Sequence, residues 1–305
     1  MLNAGTERQA RMRRRSLLGA GAALAALGAA TRARAASAAK ARRIVTIGGA
    51  ITETVYALDA GDELVGVDTT SLYPDAATRL PSVGYARALS AEGLLSLRPT
   101  LILASVEAGP PVVLRQLEAT RVPLHVLDAG HRFEGLLART RRVAQLIARP
   151  EAGEALARRL ADAWAATERR VQALQGVTEG PRVLFVLSHA MNQMRIAGRG
   201  TAAHAMIGYA GARNAFAAVE GFRPLTPEAA VAAAPDLILV TTQGLEAAGG
   251  VDGLLKAPGL AATPAGRARR VVAQEALILL GFGPRLPEAV AALAQQLHRG
   301  TGQQA

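Results

Sequence analysis

Not one cysteine occurs among the 305 residues, so disulfides, thiolate metal sites and cysteine nucleophiles are excluded. Five histidines remain as candidate ligands. His125 falls in a predicted strand, His131 in the loop just beyond it, His189 after another strand, His204 in a helix and His298 near the end. A zinc or manganese site wants about three histidines and a carboxylate converging on one point. His131 and His189 both follow strand ends, from where a side chain can reach a cleft; a surface or hydrogen-bonded role is the commoner one for each. Met191 and Met194 can line the same cleft, or simply pack. Gly198-Arg199-Gly200 precedes a helix and can offer N–H groups to an anion, yet no Gly-Lys-Ser/Thr follows as a P-loop requires. Gly48-Gly49 does not complete G-x-G-x-x-G. There is no G-x-S-x-G, no H-E-x-x-H and no paired-carboxylate motif, and Ser188-His189 is adjacency only. The chain is therefore not expected to be an enzyme.

Aromatic residues make up only 3% of the chain, which draws attention to each tyrosine. Tyr85 lies in Val83-Gly84-Tyr85-Ala86-Arg87, and taken alone it is an ordinary half-exposed loop residue. Glu92 stands two residues after Ser90, and Glu228 two after Thr226. An acid in the first turn of a capped helix favours the helix dipole, though this spacing is one short of a capping box.

The formal charge of +11 suggests nucleic acid until it is located. Residues 1–35 hold seven arginines against Glu7 alone, so six of the eleven net charges lie there. The same segment runs Arg13-Arg14-Arg15-Ser16-Leu17-Leu18, then apolar to Ala30, then Ala33-Arg34-Ala35. That is the order of a signal peptide: basic, apolar, small-residue cleavage site, with a twin-arginine look that Sec signals also tolerate. The apolar run of about 14 residues is too short for a span of roughly 20. No cysteine follows it, so lipid attachment is not expected. The remainder is a mildly basic globular protein suited to an anionic ligand. With few aromatics, base-stacking modules are not expected either.

Short apolar runs and helical patterns alternate along this remainder. Strands are predicted at Arg42–Ile47, Leu64–Val67, Leu101–Ala104, Leu124–Leu127, Val183–Leu187, Leu237–Thr241 and Arg270–Ala273. Helices are predicted after the first strand with Thr52 as cap, over Ala91–Leu97, Val112–Thr120, Thr201–Ala210 and Pro287–Leu297. Such alternation marks a parallel sheet covered on both faces. Between the two series, Glu151–Gln175 reads as one helix with Leu156, Leu160, Ala163, Val171 and Leu174 on a stripe that Thr167 interrupts. An internal repeat supports two lobes. Leu89 to Leu103 aligns without a gap to Leu225 to Leu239, each with a Ser/Thr cap, Glu two residues on, a proline, and a Leu-Ile-Leu strand.

These lobes, the linking helix and the repeated block resemble the helix-linked class of periplasmic binding proteins. Within it, the chain is most similar to the haemin-binding proteins of haem-uptake ABC transporters. The resemblance covers residues 42–298 and is most specific at Val83–Glu92, Gly198–Ala203, Phe222–Glu228 and Leu279–Arg285. It implies an α/β fold of two lobes, each with a central mainly parallel sheet flanked by helices, joined by one long α-helix. The expected division is a signal over 1–35, lobes over 36–148 and 177–305, and the link over 149–176. It further implies a soluble periplasmic monomer that carries haem as transported cargo, with Tyr85 as ligand to the iron. A phenolate is a hard anionic donor known on haem iron. A cation nearby would favour the phenolate, and Arg87 and Arg223 are candidates for that role or for pairing with the propionates, with His131 and His189 as candidate further contacts. Glu92 and Glu228, one per lobe, are implied to dock on the two subunits of an inner-membrane permease driven by its ATPase. Because the link is a helix, small lobe closure is expected. The same fold with a siderophore or cobalamin as cargo is the alternative; an exported enzyme and a metal-ion carrier stand further off.

Overall fold

Mostly apolar runs of four or five residues build a first sheet. Ile44–Ile47 (β1), Leu64–Val67 (β2), Leu101–Ser105 (β3) and Leu124–Leu127 (β4) are all parallel, in the order β2-β1-β3-β4. Both faces are covered, as a parallel sheet requires. Ile44, Leu101 and Leu103 enter one buried cluster, while their neighbours Val45, Ile47, Ile102 and Ala104 enter another. Helices Gly49–Ala57 (α1), Ala91–Ser96 (α2), Pro111–Glu118 (α3) and Phe133–Leu146 (α4) alternate with these strands. The computed structural model describes residues 42–175, 179–187 and 194–298; the signal-like segment, His189 and Met191 lie outside these. By its contacts the chain divides at Arg42, and the fold concerns the unit from Arg43 onward.

Pro150–Gln175 (α5) is the helix between the two series, and its 26 residues span about 39 Å at 1.5 Å each. Leu156, Leu160, Thr167 and Val171 are buried as the stripe predicts. Ala163 and Leu174 are exposed instead, and the stripe runs through Gly153, Ala157 and Trp164. Thr167 can face the core because its hydroxyl donates to the Pro287 carbonyl at 3.1 Å. Helix α4 escaped the periodicity because its buried face carries Arg139 and Thr140 between Leu136 and Val143.

The second sheet is larger and mixed. Arg182–Leu187 (β5), Leu237–Thr241 (β9) and Val271–Gln274 (β10) are parallel. Arg195–Ala197 (β6) and Phe222–Pro224 (β8) add an antiparallel extension, and Arg213–Asn214 (β7) pairs the start of β5. The order is β10-β9-β5-β6-β8. Around it lie Ala202–Tyr209 (α6), Pro227–Ala233 (α7), Thr242–Ala247 (α8), Gly250–Leu255 (α9), Pro264–Arg267 (α10), Ala276–Leu280 (α11) and Leu286–His298 (α12). Among the described residues no helix is long and apolar enough to cross a membrane.

The repeat is a structural one. Ser90 and Thr226 cap α2 and α7 alike, each hydroxyl accepting the N–H three residues on, at 3.3 and 3.2 Å. The strands that follow, β3 and β9, are equivalent: β3 lies between β1 and β4, β9 between β5 and β10.

The lobes are joined by more than α5. One buried cluster takes in Leu103, Leu136, Leu160, Phe185, Leu239 and Leu293, so their core is shared. Within this joint lies Glu53 of α1, only 4% exposed. Its carboxylate accepts the Arg285 backbone N–H and one guanidinium N–H, both at 3.0 Å. Arg139, buried on α4, donates to the Phe282 carbonyl. Phe133 donates its N–H to the Tyr209 hydroxyl at 3.1 Å, its ring stacked on Trp164. Leu279-Leu280-Gly281-Phe282-Gly283-Pro284-Arg285 is therefore the seam of the joint. Replacing Arg285 by Met strands the Glu53 charge. This should cost about 2–4 kcal/mol, less than for a fully buried pair because 22% of the Arg285 side chain meets solvent. A lowered urea midpoint at unchanged slope reads that loss. Adding Glu53→Gln should restore most of it, and a single variant as stable as wild type would show the pair to be inert.

Candidate functional site

Ligands of open α/β sheets gather beyond the carboxyl ends of the strands. At that end of the first sheet, the loops after β2 and β3 expose large apolar side chains. Leu72 is 48% exposed, Tyr73 43%, Tyr85 50% and Val106 57%. Several exposed large apolar side chains at the strand ends make this a candidate binding face.

A buried carboxylate anchors the loop after β2. Asp68, 2% exposed, accepts four hydrogen bonds: from the Gly48 and Thr70 N–H groups and from the Thr70 and Ser71 hydroxyls. Thr52 does not cap α1, which begins at Gly49. Its hydroxyl lies 2.7 Å from that of Thr46 and 2.6 Å from that of Ser71, extending the network into the core. The chain then returns alongside β2, with Val83 N–H donating to the Val67 carbonyl at 2.9 Å and Thr69 N–H to the Gly84 carbonyl at 3.0 Å.

Tyr85 stands at the turn that ends this return. Gly84 has a φ of 92°, a region open to glycine, and thereby redirects the chain. The Tyr85 carbonyl accepts from Ala88 at 2.8 Å, and Ala86 and Leu89 are tied to Gly109 of the next loop at 2.8 and 2.9 Å. Val83 and Ala86 are buried on either side. The backbone is thus held at several points while the phenol projects outward, which suits a ligand donor that must not reorganise.

Arg87 feels the charge of Tyr85, and a residue that the sequence did not single out joins them. Glu107, in the loop after β3, pairs with the Arg87 guanidinium at 2.9 Å. The Arg87 pKa is raised above its ordinary value, first by that hydrogen bond and, against some desolvation, by the charges of Glu107 and Tyr85. His131 lies in the loop after β4 and feels the charge of Glu107. Burial pushes the His131 pKa down, Arg139 adds to this, and Glu107 and Asp128 oppose it. The imidazole is neutral at neutral pH and lies edge-on to Phe282, 5.3 Å between ring centres. Three successive strand-end loops thus supply Tyr85 and Arg87, Glu107, and His131. The only signal for Glu107 was its place two residues beyond a buried strand.

The remaining predicted residues fall elsewhere. Arg223 is exposed on β8, in register with Ile196 of β6, which pairs Val186 near the carboxyl end of β5. It therefore belongs to the corresponding end of the second sheet. Glu92 and Glu228 are exposed in the first turns of α2 and α7, where the Ser/Thr hydroxyl alone provides the cap. His189 lies outside the described residues. His204 is engaged by the Asn214 amide at 3.2 Å and His298 by the Ala210 carbonyl at 3.1 Å. Among the described residues no three His, Asp or Glu converge as a metal cluster would. Met194 is buried and packs in the core of the second sheet. The Gly198-Arg199-Gly200 turn is not an anion cradle. Thr201 caps α6 itself, and the Glu220 carboxylate lies against Gly200 and pairs with Arg199 at 3.6 Å. Gly198 is needed because a side chain there would strike the Val219 carbonyl, 2.0 Å from an added Cβ.

A model of the periplasmic binding protein family matches residues 44–276. The chain is 52% identical to the periplasmic heme-binding protein BhuT in complex with two hemes, over 84% of this chain and 98% of that one, with a TM-score of 0.80. It is 43% identical to the periplasmic heme-binding protein RhuT from Roseiflexus sp. RS-1, over 85% and 98%, with a TM-score of 0.81. A periplasmic heme binding protein from Pseudomonas aeruginosa is 37% identical over 85% and 93%, with a TM-score of 0.79. The vitamin B12-binding protein of Yersinia pestis (strain Pestoides F) is 33% identical over 111 residues, 36% of this chain. That match spans only 39% of the relative's length. With both lobes, the joining helix and most of the length matched, the chain belongs to the periplasmic binding protein family.

Proposed function

We propose that this protein captures ferric haem between its two lobes in the periplasm and delivers it to an inner-membrane ABC permease powered by an ATPase. The observation that carries this is Tyr85: a half-exposed phenol on a loop pinned at its flanks, beside a guanidinium, within an exposed apolar face. A phenolate suits ferric iron, the state favoured outside the cytoplasm. The apolar face suits the macrocycle, and Arg87 and Arg223 suit the propionates. Similarity to several heme-binding proteins over nearly their whole length supports the same cargo. In this reading residues 36–148 and 177–305 are the lobes and 149–176 the link, the protein acts as a monomer, and it is a carrier without catalytic activity. His131, neutral and edge-on to Phe282, is proposed as an auxiliary contact, and His189 as a further one.

Glu92 and Glu228 are the proposed contacts to the permease. They are exposed, sit on equivalent helices of the two lobes, and have no ion pair among the described residues. A dimeric permease offers two like surfaces, which a repeated pair of acids matches. A corrinoid cargo is the second reading, supported by the vitamin B12-binding relatives over part of their length.

Two experiments test these assignments. Titrated with ferric haem, the mature protein should give a saturable high-spin spectrum. Tyr85→Ala should reshape it and weaken binding about 100-fold, roughly 2.8 kcal/mol. No saturable change in wild type would turn the search to corrinoids and siderophores, and an unchanged spectrum in the variant would move the ligand to a histidine. For docking, Glu92→Ala and Glu228→Ala should each slow haem uptake into permease vesicles about tenfold or more. Their haem spectra should stay as in wild type, and undiminished uptake by the double variant would refute the docking role.

A further inference from the structure

We propose that Glu107 is a resident competitor for the carboxylates of the cargo, holding Arg87 in the empty protein and yielding it to a propionate when haem arrives. This rests on the haem-carrier reading above and assigns Glu107 a part in selecting and releasing that cargo.

The pair is built to exchange. Its N–O distance is 2.9 Å, yet the Arg87 and Glu107 side chains are 59% and 56% exposed. An ion pair so wetted contributes little to stability and breaks readily. Its place is fixed all the same, because the Arg87 loop and the Glu107 loop are bonded to each other through Ala86, Leu89 and Gly109. Arg87 is thus presented beside Tyr85 with a carboxylate already on it. A propionate that takes this position replaces like with like, so the guanidinium keeps an anionic partner and the phenol keeps its neighbour. The displaced Glu107 returns to water, at little cost for a side chain already 56% exposed. Affinity for a carboxylate-bearing porphyrin is then the difference between two similar pairs. That difference lowers affinity and eases unloading, while a porphyrin without free carboxylates leaves the Arg87–Glu107 pair intact and gains nothing from Arg87.

The test is a set of titrations of wild type, Glu107→Gln, Arg87→Ala and the double variant, each with ferric haem and with haem dimethyl ester, whose propionates are blocked. Glu107→Gln should tighten haem about two- to fivefold, the range of an exposed ion pair, and leave the ester unchanged. In the Arg87→Ala background the gain should vanish. Melting temperatures of the variants should match wild type, as befits exposed positions. Three results would overturn the competitor role: no tightening of haem, equal tightening of haem and ester, or a gain that survives Arg87→Ala. Wild type that fails to bind haem would sink the carrier reading itself, whereas wild type that binds beside an inert Glu107→Gln sinks only the competitor.

Discussion

The burial of one carboxylate sets the geometry between the lobes. Glu53 is 4% exposed, and a charge in that position must be met by donors. They come from Arg285, some 230 residues on, by way of both its backbone and its side chain. The same guanidinium lies 3.7 Å from the centre of the Tyr73 ring, so the seam of the joint also seats a member of the exposed apolar face. A few residues back, the Phe282 carbonyl takes Arg139, whose burial and lack of water bring its pKa down to about 10, still charged at neutral pH. Opening the lobes widely would strip both cations from their acceptors. Helix α5 packs on the same seam, its Thr167 donating to the Pro287 carbonyl, and this supports the small lobe closure expected of a helix-linked carrier.

On this rigid joint the site is assembled from loops, and the loops are stiff for the same reason. Asp68 repeats at the end of β2 what Glu53 does at the joint: a buried carboxylate collects donors from separate segments and thereby fixes them. Four hydrogen bonds on one side chain hold the start of a loop of more than twenty residues. Bonds from Val83, Thr69 and Gly109 hold its return. The order this imposes lets the face stay apolar and exposed without collapsing on itself. Leu72, Tyr73 and Tyr85 are exposed along this anchored loop, and Val106 on the loop after β3.

What the sequence made legible follows from how local each determinant is. The strands β2 and β4 and the block from Leu89 to Leu103 were readable because short apolar runs, proline and a Ser/Thr cap act within a few residues. Tyr85 was singled out only through the family resemblance, since its pentapeptide alone describes an ordinary loop tyrosine. Helix α4 could not be found, since the arginine on its buried face is intelligible only with the Phe282 carbonyl in view. Trp164 was passed over for Ala163, one residue away, because Phe133 and Tyr209 on other elements decide which of the two is buried. The antiparallel strands β6 and β8, three residues each, carry too little pattern to stand out. Glu107 has no local signature beyond its place two residues after a buried strand, and only the meeting of two loops gives it a partner.

The lobes are alike where a partner would be met and unlike where cargo is handled. Both place a capped helix and a Leu-Ile-Leu strand at the same point of their sheets, and both present one exposed acid there. At the strand ends the likeness stops. The first sheet is wholly parallel and offers three loops carrying a phenol, a cation, an anion and an imidazole. The second turns antiparallel beyond β5 and offers Arg223 on a strand. A flat macrocycle with iron at its centre and carboxylates on one edge needs a donor from one face and cations at one rim. Unequal lobes meet that need directly, whereas a two-subunit permease needs two equal contacts. One repeat, alike in its capped helix and following strand and unlike at the strand ends, would serve both demands, with the proposed docking acids on the shared frame and the proposed cargo contacts beyond it.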